Sequence, residues 1–181
     1  QVDVDQVARF VRAYQEERPL TMGEIWALPT MLRLSVLELL TGAVARAADL
    51  EIPVPSDQLP DLPDLEGKVD EAIVAGAINS LRSIDAQDWD AFFEAISLVE
   101  ETLRSDPANV YPNMDFETRD RYRGVVEELA RRVERSERSI AQAAVDLARQ
   151  GLRDDERKAE AAEGDIFESR AGHVGFYLVG R

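Results

Sequence analysis

The chain of 181 residues contains no cysteine and only one histidine, His173. Without cysteine, disulfides, thiolate metal sites and a cysteine nucleophile are all excluded. A zinc site or a histidine-based triad would need partner residues, and the sequence around His173 offers none. We therefore predict no catalytic residue, no cofactor and no metal site in this chain.

Positive charge is also scarce, with 21 lysines and arginines against 36 aspartates and glutamates and a net charge of −15. A nucleic-acid backbone or an anionic bilayer is repelled by such a chain. The aromatic residues are few, at 7%, and most lie on predicted core stripes, which leaves little for a sugar-stacking platform. We expect no nucleic-acid partner.

The longest apolar run extends from Leu28 to Val44, and it is interrupted by Arg33 and Glu38. It is shorter than the roughly 20 residues that a membrane span requires, so we predict a buried core helix. The amino end is polar and has no signal-peptide pattern. Because no initiator methionine is present, we expect this chain to be a segment of a longer protein.

Apolar residues recur at helical spacing along most of the chain, which predicts an all-α fold. We predict about six helices, packed as antiparallel helical hairpins. The first covers residues 4–17, and the second begins at Thr21, with a kink or short break expected at Pro29. The remaining predicted helices cover 67–83, 85–103, 115–133, and a stretch from Ser136 to a stop at Gly151. Asp85 and Asp115 are the predicted caps of the helices that they begin.

A proline-rich connection separates the second and third predicted helices. Residues 49–66 include four prolines, whose spacing blocks both helix and central strand. We therefore predict a helical-hairpin domain over 1–152 with this internal connection. The remaining residues, 153–181, are predicted to form a charged short helix and an extended tail.

Two acidic patterns resemble catalytic motifs but have simpler explanations. Asp88 and Asp90 form an Asp-x-Asp pattern, which some sugar-nucleotide transferases use to hold a divalent cation. Here they open a helix, where acids are favoured by the helix dipole. The pair Glu100 and Glu101 is predicted to lie on a solvated helix face, since adjacent acids on a helix point in different directions.

Arginines concentrate between residues 119 and 138, interleaved with acids. Surface ion pairing explains most of this pattern, and contact with a partner domain or lipid headgroups is the alternative. Our interaction candidates are Tyr111, Arg119, Arg123 and His173. Tyr111, predicted in an exposed loop, is also a candidate acceptor for a protein-linked glucan.

Five segments resemble the cyclic β-1,2-glucan synthase family, also described as glycosyltransferase family 36. In one-letter code they are FVRAYQ (10–15), PLTMGEIWALPTMLR (19–33), SDPANVY (105–111), MDFETRDRYR (114–123) and HVGFYL (173–178). Their order and spacing also fit that family, so the resemblance covers nearly the whole chain. The segments at 19–33 and 114–123 are the most specific.

The resemblance implies that the chain belongs to a large bacterial inner-membrane enzyme that polymerises glucose from UDP-glucose. The resembled region lies on the cytoplasmic side, ahead of the first membrane helices, and no catalytic residue of the family maps onto it. The resemblance thus implies that the chain itself is not an enzyme. It also implies that the chain is attached to the membrane only through the rest of the parent protein. Our preferred hypothesis is a regulatory or assembly domain whose partners are other domains of the same polypeptide. The alternatives are a carbohydrate-binding module that holds the growing glucan and a general protein-interaction module.

Overall fold

The computed structural model describes residues 2–48, 68–162 and 170–180, and within these ranges the chain contains α-helices and short 3-10 turns but no strand. The all-α prediction is confirmed. The helices are α1 (Val4–Glu17), α2 (Met22–Ala47), α3 (Lys68–Asp85), α4 (Trp89–Ile96), α5 (Leu98–Leu103), α6 (Phe116–Val133), α7 (Glu137–Ala162) and α8 (Val174–Leu178). The 3-10 turns cover Tyr111–Asn113 and Arg170–Gly172. The predicted proline-rich connection lies outside the described residues.

The chain divides into two compact units. The first unit comprises Gln1–Val11 and Trp26–Trp89, and the second comprises Arg12–Ile25 and Asp90–Arg181. The predicted boundary after residue 152 falls inside α7, which continues to Ala162. The units therefore do not follow the division that proline and charge content suggested.

The first unit is built around α2 and α3. Its core contains Val36 of α2 with Ala77 and Ile84 of α3, and partly buried side chains surround it. The Trp89 indole nitrogen donates a hydrogen bond to the Ile84 carbonyl at 2.9 Å, and the Val2 amide donates to the Ser80 hydroxyl at 3.1 Å. Both bonds connect the ends of the unit to α3.

Helix α2 departs from its prediction in two respects. It continues through the buried Pro29 without a break, because packing on the neighbouring turns outweighs the one backbone hydrogen bond that proline removes. It is also not enclosed: Leu34 is 49% exposed and Met31 is 58% exposed. The stretch Met22–Arg46 is long and apolar enough to cross a membrane, and only 17% of its apolar window is buried. Our prediction of a buried core helix is wrong.

The predicted helix over 85–103 is in fact two helices. Asp85 is the last residue of α3 rather than a cap, and the chain turns before α4 begins at Trp89. Ser97 has an extended backbone and interrupts the helix, and its hydroxyl accepts a hydrogen bond from the Glu100 amide. This capping bond begins α5 after the break and places Glu100 in its first turn.

The carboxyl-terminal helices confirm the predicted starts, and α6 also ends at Val133 as predicted, but α7 does not end where predicted. Asp115 caps α6 by accepting a hydrogen bond from the Thr118 amide, as predicted. The helix stop at Gly151 is wrong, because α7 passes through it. A Cβ at Gly151 would lie 2.5 Å from the Ala171 carbonyl oxygen, so this glycine permits a close approach of the second 3-10 turn. The predicted extended tail instead contains α8.

Candidate functional site

A buried carboxylate lies at the centre of the second unit. Glu100, on α5, is fully buried, and its Oε2 atom accepts hydrogen bonds from the Tyr111 hydroxyl at 2.7 Å and Arg123 Nη1 at 2.8 Å. Its Oε1 atom lies 2.8 Å from Arg104 Nε in an ion pair that lacks hydrogen-bond alignment. The prediction of a solvated Glu100 is therefore wrong, because the Ser97 break turns it inward.

Arg123, on α6, is the cation that faces this carboxylate, and its side chain is 1% exposed. The guanidinium carbon lies 5.0 Å from the ring centre of Phe93 and 4.8 Å from that of Phe116, within the range of cation–π attraction. Nη2 also donates to Asp120 at 3.1 Å. Among the described residues, no acceptor meets Arg123 Nε. The arginine thus combines ionic and aromatic contacts in a site shielded from water.

A second ion pair extends the network towards the surface. Arg119, one turn before Arg123 on α6, contacts Glu94 Oε1 of α4 through Nη2 at 2.7 Å and Nε at 2.9 Å. Its Nη1 donates to the Met114 carbonyl. Arg104, which is 41% exposed, donates to the other Glu94 oxygen at 3.0 Å. Two glutamates and three arginines therefore connect α4, α5 and α6.

The network raises the pKa values of its two most buried donors. Burial, the Glu100 charge and the hydrogen bond to Glu100 together raise the pKa of Tyr111 well above its ordinary value. Burial acts to lower the pKa of Arg123, but the hydrogen bond to Glu100 and the surrounding negative charge raise it on balance. Tyr111 therefore stays a neutral donor and Arg123 stays a cation at neutral pH.

A second polar cluster surrounds Asp106, whose side chain is fully buried. Its Oδ2 accepts hydrogen bonds from the Val110 and Tyr111 amides, both at 3.0 Å, and lies 2.8 Å from His173 Nδ1. Its Oδ1 accepts from the Val174 amide at 3.0 Å. One carboxylate thus ties the turn that carries Tyr111 to the start of α8.

His173 completes this cluster on its other side. Nε2 lies 3.5 Å from the Tyr122 hydroxyl, at the limit of a hydrogen bond. Burial and the nearby Asp106 charge raise the pKa of Tyr122. A Cβ at Gly175 would come within 2.5 Å of both His173 Nε2 and the Tyr122 hydroxyl. Gly175 therefore allows the two rings to meet, and the imidazole is held between a carboxylate and a phenol.

The four interaction candidates fall into these two adjoining clusters. Tyr111 and Arg123 are buried, Arg119 is 9% exposed, and the His173 side chain is 17% exposed. The polar atoms of the first three face inward and bond within the clusters, so their contact with a partner stays a prediction. The Tyr111 hydroxyl is enclosed and bonded to Glu100, so the expectation of an exposed loop tyrosine is wrong. His173 alone keeps a sizeable accessible edge.

Sequence reasoning missed five members of these clusters: Glu94, Glu100, Arg104, Asp106 and Tyr122. Helix periodicity does hint at the ionic network, since Arg119 and Arg123 are four residues apart and share a face with Phe116. Apart from the break at Ser97, the partners that separate Glu100 from the exposed Glu101 are distant along the chain. Arginines further along α6 behave as predicted: Arg131 and Arg132 are exposed and pair with Glu127 and Glu128.

Neither cluster has the open geometry of a catalytic or metal centre. Within the described ranges, no group of three histidine, aspartate or glutamate side chains is placed to hold a metal ion. Asp88 and Asp90 are exposed where α4 begins. A cleft of about 480 Å³ adjoins the network, lined by polar side chains such as Arg12, Gln15 and Arg138 and by no aromatic one. The described arrangement can stiffen the unit, and the adjoining cleft has room for a small ligand.

Comparison with known proteins gives one informative relative. No family model matches the chain, and no solved structure matches it. The chain is 26% identical, over 243 aligned residues, to the cyclic beta-(1,2)-glucan synthase NdvB of Rhizobium meliloti (strain 1021). The alignment includes 98% of this chain and 8% of that synthase. The predicted resemblance is thereby confirmed as a distant relationship to a region of such a synthase, and the chain spans less than a tenth of this relative's length.

Proposed function

We propose that the chain is a non-catalytic helical module of a large glucan synthase, which supports the assembly or regulation of that enzyme. The observation that carries the proposal is that the buried charged side chains of the second unit bond to one another and to Tyr111 rather than line an active site. A network of this kind rigidifies a fold and specifies one packing. The distant relationship to a glucan synthase region supports the choice of parent protein.

The proposal includes a location and a set of partners. The module acts on the cytoplasmic side of a bacterial inner membrane, as part of a membrane-bound enzyme that uses UDP-glucose. Its partners are other domains of the same polypeptide. A rigid module whose shape is fixed by buried ionic contacts is suited to position such neighbours, since loose modules lose more conformational entropy when they dock.

The test is a deletion in the complete protein expressed from its gene. Removing the residues of this chain should reduce the yield of assembled enzyme and the output of β-1,2-glucan. A matched pair of point variants refines the test: Arg123→Met disturbs the buried network, whereas Arg131→Met removes an exposed ion pair on the same helix. The first should reduce output and the second should not. Full assembly and full glucan output from the deletion would refute the proposal.

A carbohydrate-binding role is the second candidate, and the cleft beside Gln15 is the observation that favours it. The cleft is lined by amide, carboxylate and guanidinium groups that can bond to sugar hydroxyls. Its lack of an aromatic wall favours the module hypothesis instead, because sugar rings usually stack on aromatic side chains. Calorimetry with β-1,2-glucooligosaccharides separates the two: binding in the millimolar range or tighter, abolished by Gln15→Ala, would support the second candidate.

A further inference from the structure

The outward side of α2 presents an apolar surface in the first unit. We define the outer α2 face as Met31, Leu34, Leu37, Glu38, Thr41 and Val44, which recur at helical spacing along one side. Each of its four apolar side chains is more than two-fifths exposed. The opposite side of α2 packs against α3 through Val36, so the helix is held in place and the outer face remains available.

The hydroxyl groups on and beside this face are already satisfied. Thr41 Oγ1 donates to the Leu37 carbonyl at 2.7 Å, and Ser35 Oγ donates to the Met31 carbonyl at 3.0 Å. A hydroxyl that bonds to its own helix loses little when water is removed. The outer α2 face can therefore be covered without leaving either hydroxyl unbonded.

Glu38 is the exception, since its carboxylate is exposed within the face. Among the described residues no arginine or lysine pairs with it, and the nearby Arg33 bonds to Asp85 at 3.0 Å. Covering a carboxylate with an apolar surface is costly unless the covering group brings a positive charge. The occupant of this face must therefore carry a lysine or arginine opposite Glu38.

This charge requirement disfavours three other occupants. A second copy of the chain would bring its own Glu38 and a net charge of −15. Residues 49–67 of this chain contain six acids and no base. Lipid would place Glu38 in hydrocarbon, where an acid at a helix centre is strongly disfavoured.

We propose that the outer α2 face docks an amphipathic helix from another domain of the parent protein, whose apolar stripe carries one lysine or arginine that pairs with Glu38. The proposal rests on the module function proposed above and names the surface by which the module binds. From Met31 to Val44 the face is about 20 Å long, so the partner helix has about four turns. Leu34 and Leu37 contribute apolar contact, and Glu38 sets the register.

Site-directed photo-crosslinking in the complete protein, expressed from its gene, tests the surface. Leu37→p-benzoylphenylalanine should cross-link to a single helical segment elsewhere in the polypeptide, and mass spectrometry should identify a basic residue within its apolar stripe. Leu147, which is similarly exposed on α7 at 46%, is the matched position and should not give this product. A cross-link between two copies, a cross-link to lipid, or no specific product would each overturn the proposal.

Charge reversal tests the role of Glu38. Glu38→Lys should lower the cross-link yield about tenfold, because attraction becomes repulsion, and reversing the identified basic residue to glutamate should restore it. Unchanged yield in Glu38→Lys would refute the pairing. The melting temperature of the isolated chain should not change, because Glu38 is exposed and substitutions at exposed positions rarely alter stability.

The outcomes also separate this inference from the module function. If the deletion impairs the enzyme but Leu37→Gln and Glu38→Lys do not, the module function stands and the docking surface is wrong. If the cross-link is found but the deletion has no effect, the surface exists and the module function is wrong.

Discussion

Replacing Arg123 by methionine should destabilise the second unit severely. Arg123 is 1% exposed and faces Glu100, which is fully buried. Methionine keeps the apolar contact with the two flanking phenylalanine rings. It leaves Glu100 with the Tyr111 hydroxyl, the partly exposed Arg104, and Arg119 Nε at 3.4 Å from Glu100 Oε1. Removing one partner of a buried ion pair typically costs about 3–5 kcal/mol. Against a typical stability of about 5–15 kcal/mol, that is a large fraction.

Urea unfolding followed by circular dichroism measures this loss of free energy. In thermal unfolding, the melting temperature should fall by about 6–20 °C. Arg131→Met is the matched control, because Arg131 lies on the same helix and pairs with Glu127 at 2.6 Å, but it is 71% exposed. An exposed pair contributes less than about 1 kcal/mol.

A double variant isolates the pairing from the packing. Glu100→Gln removes the buried charge that Arg123→Met deprives of its most buried cationic partner, and it keeps an acceptor for the Tyr111 hydroxyl. The double variant should therefore be destabilised by clearly less than the sum of the two single variants, with a coupling of at least about 1 kcal/mol. A loss in Arg123→Met no larger than in Arg131→Met, or strict additivity, would refute the reasoning.

Two further predictions concern glycine spacing and a buried acid. Gly151→Ala should destabilise the second unit, because its Cβ would meet the Ala171 carbonyl oxygen at 2.5 Å. At Gly124 a Cβ would meet nothing within 4 Å, so Gly124→Ala should stabilise by up to about 1 kcal/mol. Thermal unfolding of both variants measures the contrast, and equal shifts in melting temperature would contradict it. Burial raises the pKa of Glu137 above 4.5, although the Met22 amide bond opposes this. The folded state thus holds this proton more tightly, so stability from this group is present below pH 4.5 and is lost as pH rises through the raised value. Glu137→Gln should lessen that loss of stability. Urea unfolding at pH 4 and pH 7 measures it, and the explanation is wrong if the free energy of unfolding changes equally with pH in the variant and in the original chain.

The clearest failure of sequence reasoning was at Glu100 and Glu101. Both are acids in the same short helix, yet one is fully buried and the other exposed. The Ser97 break, together with the partners Arg123 and Tyr111, decides which one turns inward. These partners lie 23 and 11 residues away along the chain, and a local pattern cannot report such contacts.

What the sequence by itself determined was local: the helical class, the ends of α1, and the Asp115 cap of α6. These depend on the spacing of apolar residues and on side chains that bond within one turn. The tertiary structure decided whether Pro29 and Gly151 interrupt a helix, which acids are buried, and that the outer α2 face stays exposed. Each of these depends on which residues, distant along the chain, pack against a given position. Tertiary packing determines those contacts, and local helix propensity does not.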